Sequence, residues 1–226
     1  MQLVKEPSSG SNLLNISASD SEMVKNGLNS NILLSDIART LITSTTLGEK
    51  LNAILSLTGK ALNVSRVYIF EDDLQNLVTN NTYEWCNDGV YPVIDTLQGV
   101  PFEVVKEWYD IIGTQGYISA HDIQQLPSSI IKVLDPQGII SIIVFKLNLP
   151  EGGTGFVGFD ECREHRHWSE YEIDVLQAIN GIITSIYENE YLTKKLHDST
   201  NNFYNMFNSI TDFMFVADLE GYVIEG

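Results

Sequence analysis

Ile139-Ile140-Ser141-Ile142-Ile143-Val144-Phe145-Lys146-Leu147 and Thr154-Gly155-Phe156-Val157-Gly158-Phe159-Asp160 are the strongest strand signals in this chain. Both runs are β-branched and aromatic, and Asn148-Leu149-Pro150-Glu151-Gly152-Gly153 between them is short enough for a hairpin. Just downstream, Trp168-Ser169-Glu170-Tyr171-Glu172-Ile173 reads as a complete helix start. Ser169 is placed to cap, Glu172 closes a capping box three residues later, and Trp168 can staple onto Ile173. The apolar periodicity then runs on to about Thr200 with no proline or glycine pair to halt it. A helix that leaves the unit that made it describes a module that passes a state along.

Upstream of the hairpin the pattern alternates between helix and strand. From Asn31, Leu34, Ile37, Ala38 and Leu41 fall on one helical face. Thr46 with Glu49 forms a second capping box, and Leu47, Leu51, Ile54, Leu55, Thr58 and Leu62 continue at helical spacing. These are two helices or one kinked helix. Val64 to Phe70 reads as a strand with Val67 and Ile69 on one face and Tyr68 and Phe70 on the other. Leu77 to Cys86 alternates as well and places Tyr83 and Trp85 together. Pro101 opens a short amphipathic helix carrying Phe102, Val105, Trp108, Tyr109 and Ile112. Gly116 to Ser119 reads as a short strand and Pro127 to Leu134 as a short helix. The fold class is therefore α+β, with a mostly antiparallel sheet of five or six strands. The first and last helices cover one face. Short helices and loops between residues 90 and 135 cover the other, where a ligand cavity is expected.

Composition narrows the function classes. Lys+Arg of 13 against Asp+Glu of 30 gives a net charge of −17, which repels nucleic-acid backbones and anionic lipid. Two cysteines, Cys86 and Cys162, make no disulfide framework and fit a reducing, cytoplasmic setting. Apolar runs such as Ile142 to Phe145 fall far short of the ~20 residues that span a bilayer, so this fragment is expected to make no membrane contact. Neither a phosphate-cradling glycine loop with lysine nor a Gly-x-Ser-x-Gly elbow is present, and the chain is read as non-enzymatic.

This order of elements, with RVYIFED at 66–72, NTYEWCNDGV at 81–90, Pro101-Phe102 and Trp108, Leu134 with QGI at 137–139 and Ser141, and GFVGFDEC at 155–162 with Trp168, resembles a GAF domain. The resemblance covers about Asn31 to Glu190. It is closest to the GAF modules beside PAS domains in sensor histidine kinases and cyclic-di-nucleotide signalling proteins. Phe203 to Phe207, Ile210, a strand over Asp212 to Asp218 and a turn at Leu219 to Tyr222 look like the opening of a PAS domain. The resemblance divides the chain into a flexible lead-in (1–28), a GAF domain (29–190), a connecting signalling helix (191–205) and the start of a PAS domain (206–226). It implies a sensory module of a two-component histidine kinase that binds a small ligand or reports redox state. The alternatives are a ligand-free dimerisation scaffold and the sensory module of a cyclic-di-nucleotide signalling enzyme. Region 90 to 135 contains no cysteine, which departs from bilin-attaching GAF domains and from the free methionine sulfoxide reductase. The Asn-Lys-x-Phe-Asp-Glu motif of cyclic-nucleotide-binding GAF domains is also missing.

The expected ligand-binding residues are Phe70, Tyr83, Trp85, Phe102, Trp108, Ile118, His121, Asp122, Phe145 and Phe159, with Trp85 and Trp108 closing the pocket and His121 or Asp122 orienting the ligand. For any one of these aromatics, simple core packing is the competing role. The ligand is an unspecified small molecule, and no cofactor is specified. Cys162, His165 and His167 form a C-x-x-H-x-H run. A closed metal site needs a fourth ligand, which only His121, His197, Cys86 or a carboxylate could supply. The run is read as a solvated loop with no metal, and zinc or haem as the alternative. The long helix carries two stripes. Ile173, Leu176, Ile179, Ile183 and Ile186 face the sheet, and Val175, Ala178, Ile182, Ser185, Asn189, Leu192, Leu196, Ser199 and Phe203 follow heptad spacing. Ile182, Asn189, Leu192 and Leu196 are the expected contacts of a parallel homodimer, with helix one of the same domain as the rival cover.

Overall fold

The computed structural model describes residues 18–209 and 216–225. Helix α1 (Ala18–Thr43) and helix α2 (Leu47–Leu62) are separate. The break falls where Thr46 caps α2: its side chain accepts from Glu49 N–H while the Glu49 carboxylate accepts from Thr46 N–H. Because α1 begins at Ala18, the lead-in expected up to residue 28 ends in helix; residues 1–17 lie outside the described residues.

Strands β1 (Arg66–Asp73), β2 (Val78–Cys86), β3 (Val100–Pro101), β4 (Tyr117–Ala120), β5 (Ser141–Asn148) and β6 (Thr154–Glu161) form one sheet in the order β3-β2-β1-β6-β5-β4. All of its pairings are antiparallel. The β5–β6 hairpin keeps unbroken register from Ser141↔Glu161 to Asn148↔Thr154. The two-residue β3 escaped the sequence reading, being too short to alternate. Helices α3 (Phe102–Gln115) and α4 (Ser128–Leu134) lie on the connections before and after β4.

The alternation of the strands divides the core in two. Val67, Ile69, Ile143, Phe145, Leu147, Val157 and Phe159 point to the layer of α1, α2 and the long helix α5 (Glu170–Ser209). Tyr68, Phe70, Ile142, Val144 and Phe156 point to the layer of α3 and α4. This is the expected two-faced α+β arrangement.

Helix α5 spans 40 residues. Its capping box is formed: Glu172 N–H donates to Ser169 Oγ at 3.3 Å, and Ser169 N–H donates to Glu172 Oε2 at 2.9 Å. Trp168 is buried in the same cluster that Ile173 packs on, and the Arg166 guanidinium lies 4.8 Å from its ring centre. Leu176, Ile179, Ile183 and Ile186 are buried, each contributing roughly 1.5–3 kcal/mol over an exposed position. Tyr187 ends this contact, its hydroxyl donating to Glu71 Oε1 at 2.5 Å. Beyond it Leu192, Leu196 and Phe203 are exposed. After α5, strands β7 (Val216–Ala217) and β8 (Val223–Glu225) form a small hairpin around Asp218, whose carboxylate accepts from Glu220 and Tyr222 N–H. Much of the strand expected over Asp212 to Asp218 lies outside the described residues.

Candidate ligand cavity

Between the sheet and α3–α4 lies a cavity of ≈ 40 Å³. Its floor is Tyr68 and Phe70 from β1 and Phe156 from β6, with Thr79, Asn81 and Glu84 from β2. Val105 and Trp108 of α3 close one side; Val133, Leu134, Gln137 and Ile139 close another. The Phe70 and Phe156 rings stack at 4.6 Å, and Trp108 sits 5.6 Å from Phe156. The wall is mostly apolar, with a polar patch from β2.

That patch exists because β2 changes parity. Ile69 pairs with Tyr83 and Phe70 with Asn81, so Thr82 is the extra residue of a β-bulge. Before it Thr79 and Asn81 face the cavity; after it Glu84 does, and Tyr83 and Trp85 turn to the helices. Both oxygens of the Glu84 carboxylate are engaged. It accepts from Val93 N–H at 2.8 Å, Ile94 N–H at 3.1 Å and Asn81 Nδ2 at 3.2 Å, fastening the loop after β2 to the strand. Asn81 Oδ1 and Trp108 Nε1 are buried without a hydrogen-bond partner.

Farther along the same sheet face, Arg66 and Asp160 form an ion pair at 3.1 Å with both side chains about 1% exposed. Tyr68 Oη donates to Asp160 Oδ1 at 2.9 Å. Burial pushes the Asp160 carboxyl up to about 7, outweighing the Arg66 charge and the Tyr68 hydrogen bond. Neighbouring Glu161 behaves oppositely. Burial raises it, but Arg163 and Ser65 hydrogen bonds hold it at about 2. Burial also pushes the Cys86 thiol up to about 12 and raises Cys162, so neither is an activated thiolate.

Of the residues expected to bind a ligand, Phe70 and Trp108 line the cavity. Tyr83, Trp85, Phe145 and Phe159 do not; they pack against the helical layer. For Tyr83 and Trp85 the cause is the bulge, and Gly59 of α2 leaves the space that the Trp85 ring fills, since a Cβ there would come within 2.1 Å of it. Phe145 and Phe159 sit one residue out of phase with Val144 and Gly158, which face the cavity side. Phe102 packs beside Tyr109 at the edge of the second cluster, and Ile118 is buried within it. Neither lines the cavity. Asp122 caps the turn after β4, accepting from Gln124 N–H at 2.9 Å.

His121, at the end of β4, meets His167 in a parallel stack at 3.7 Å and His165 at 5.1 Å. The C-x-x-H-x-H run is thus divided: Cys162 lies near Arg66, and both histidines fold onto His121. Among the described residues no group of three or more His, Cys, Asp or Glu side chains is placed to hold a metal ion. Ser141 Oγ donates to His121 O at 2.5 Å and accepts from Arg166 N–H at 2.8 Å. Arg166 Nη2 in turn reaches Glu172 Oε1 at 2.6 Å, in the first turn of α5. A continuous polar route thus joins the β4 end to the long helix.

Sequence reasoning missed Tyr68, Asn81, Glu84 and Phe156 as cavity residues. Phe156 was within reach, because it shares parity with Gly158 and Asp160 along β6.

No family model matches the chain. Among solved structures, the phycocyanobilin-bound GAF domain from a cyanobacterial phytochrome superposes with a TM-score of 0.62 at 16% identity, covering 73% of this chain and 96% of that one. The GAF domain from Acinetobacter phosphoenolpyruvate-protein phosphotransferase gives 0.55 at 11% identity, covering 76% and 98%. The fold is that of a GAF domain. Among curated proteins, the methanogenesis regulatory histidine kinase FilI of Methanothrix harundinacea (strain 6Ac) is 34% identical over 134 residues, 58% of this chain. The chain spans 15% of that protein's length. Among the described residues of this GAF fold, no helix is long and apolar enough to cross a membrane.

Proposed function

We propose that this chain is the sensory GAF module of a histidine-kinase-type signalling protein, in which a small ligand in the cavity biases the pose of α5. The observation that carries this reading is the polar route from His121 through Ser141 and Arg166 to Glu172. Helix α4, whose Val133 and Leu134 line the cavity, comes after His121 and the turn that follows it in the chain. A ligand that prefers one arrangement of these loops therefore changes the balance between two placements of the helix. The partial identity with a histidine kinase supports the signalling context, and the small hairpin after α5 is read as the start of a PAS domain. The module acts in the cytoplasm, as a parallel homodimer through Ile182, Asn189, Leu192 and Leu196. Ile182 packs partly on its own core, and the other three are exposed on the single chain, as a seam between subunits requires.

A tetrapyrrole is not the proposed ligand, although it occupies the phytochrome relative. The cavity is ≈ 40 Å³ and residues 90 to 135 contain no cysteine. That small volume also favours a second reading, a scaffold that binds nothing and only dimerises. Thermal shift across a metabolite panel separates the two: a sensor gains stability with some ligand, by several degrees at concentrations well above Kd, and a scaffold with none.

A further inference from the structure

We infer that Glu71 is a relay between the bulge in β2 and the long helix, a second coupling of the cavity wall to α5 that acts at the far end of their contact. The relay rests on the sensory reading and names the residues through which the cavity wall reaches the helix from the sheet.

One oxygen carries the link. Glu71 Oε1 accepts from Thr82 Oγ1 at 2.9 Å and from Tyr187 Oη at 2.5 Å. Thr82 is the extra residue of the bulge, and Asn81 and Glu84 to either side of it line the cavity. Tyr187 is the last buried residue of α5 against the sheet. Glu71 shares parity with Val67 and Ile69 along β1, so it points to the helical face. A strand that walls the cavity is therefore tied to the helix at the residue where its alternation fails.

Thr82 has one hydroxyl proton and two acceptors for it. Its Oγ1 lies 2.9 Å from Glu71 Oε1 and 3.3 Å from Ile69 O, and Ile69 marks the register shift between β1 and β2. Donation to Glu71 ties the bulge to Tyr187. Donation to Ile69 O closes the bulge on its own ladder and leaves Glu71 to the helix alone. These are the two arrangements that a coupling element requires. Burial, with the Glu71 charge, pushes the Tyr187 phenol far above its ordinary value, so it stays a donor. Whatever moves Asn81 or Glu84 moves Thr82 between them and changes which acceptor its hydroxyl meets.

The polar route through Ser141 reaches α5 in its first turn, at Glu172. Glu172 and Tyr187 lie about 22 Å apart along the helix at roughly 1.5 Å per residue. Unequal movement at two holds so far apart tilts the helix.

The test is amide hydrogen exchange of the whole chain without ligand, in Thr82→Val, Tyr187→Phe and the two combined, read relative to the core amides of β5. Each change keeps the side-chain shape and removes one hydroxyl. Thr82→Val is expected to speed exchange at Thr184 to Tyr191 of α5 about tenfold, and Tyr187→Phe to speed it at Asn81 to Trp85 of β2 by a similar factor. The double variant should be no faster at either segment than the faster single change. Tyr191→Phe, which removes the neighbouring hydrogen bond to Glu151, should leave β2 unchanged. Effects confined to the element that carries each substitution overturn the inference, as do effects that add in the double variant. A β2 response to Tyr191→Phe as large as that to Tyr187→Phe also overturns it. No ligand enters this measurement, so its failure leaves the sensory reading to the metabolite panel. A panel in which nothing binds removes sensing and leaves the relay standing.

Discussion

Gly158 lies directly beneath the ring of Tyr68, so close that a Cβ on it would come within 2.3 Å of Tyr68 Cε2. Tyr68 is buried, and its hydroxyl is tied to Asp160. The ring that floors the cavity therefore needs a residue without a side chain on β6. Gly158→Ala is expected to lower stability by about 1–3 kcal/mol, read as a lower urea midpoint at unchanged slope. A variant as stable as the parent would show that Tyr68 can leave this position freely.

The paired carboxyls Asp160 and Glu161 should shape stability in opposite pH ranges. Asp160 titrates at about 7 in the folded chain against an ordinary 3.8, so the folded state holds its proton more tightly. Its contribution to stability grows as pH falls from about 7 to 3.8. Glu161 is held at about 2 against 4.5, and its contribution is present above 4.5 and lost as pH falls toward 2. Denaturation midpoints from about pH 8 to pH 3 should therefore rise and then fall. Asp160→Asn should flatten the upper limb and Glu161→Gln the lower.

The helix cap offers a local test. Ser169→Ala removes the acceptor for Glu172 N–H and should cost ~1 kcal/mol. Thr46→Ala removes the equivalent cap on α2 at a similar cost. Hydrogen exchange should accelerate in the first turn of each helix in its own variant and leave the other unchanged. Loss of protection along the whole of α5 in Ser169→Ala would contradict this.

The proposed dimer seam is testable by charge. Leu192 and Leu196 are 54% and 70% exposed on the single chain. Replacing both with aspartate should convert a sedimenting dimer to monomer without moving the thermal midpoint of the GAF core. Parent chain that stays monomeric at high concentration removes the seam.

Much of the architecture was readable because its signals are local. The two capping boxes, the β5–β6 hairpin and the sheet-facing stripe of α5 depend on spacing within a few turns or one hairpin, and each is formed. The cavity was readable only in part, because strict alternation fails at Thr82. Nothing in NTYEWC marks one residue as unpaired; the bulge arises from how β2 meets β1 and the loop held by Glu84. Tyr83 and Trp85 were therefore assigned to the wrong face, and Glu84 was not among the expected ligand-binding residues. The histidine cluster was hidden for a different reason. His121 lies 44 residues from His165, and the pairings of β4 with β5 and of β5 with β6 bring them together.

The length of α5 beyond Tyr187 has a mechanical meaning. From Tyr187 to Ser209 the helix rises about 33 Å at roughly 1.5 Å per residue, supported at its base by a hydroxyl on Glu71 and at Tyr191 by a hydrogen bond to Glu151. It is a lever whose fulcrum lies at the rim of the sheet. A tilt of about 5° there carries the far end roughly 3 Å, so a cavity that admits only a few atoms can still produce a displacement as large as a side-chain contact.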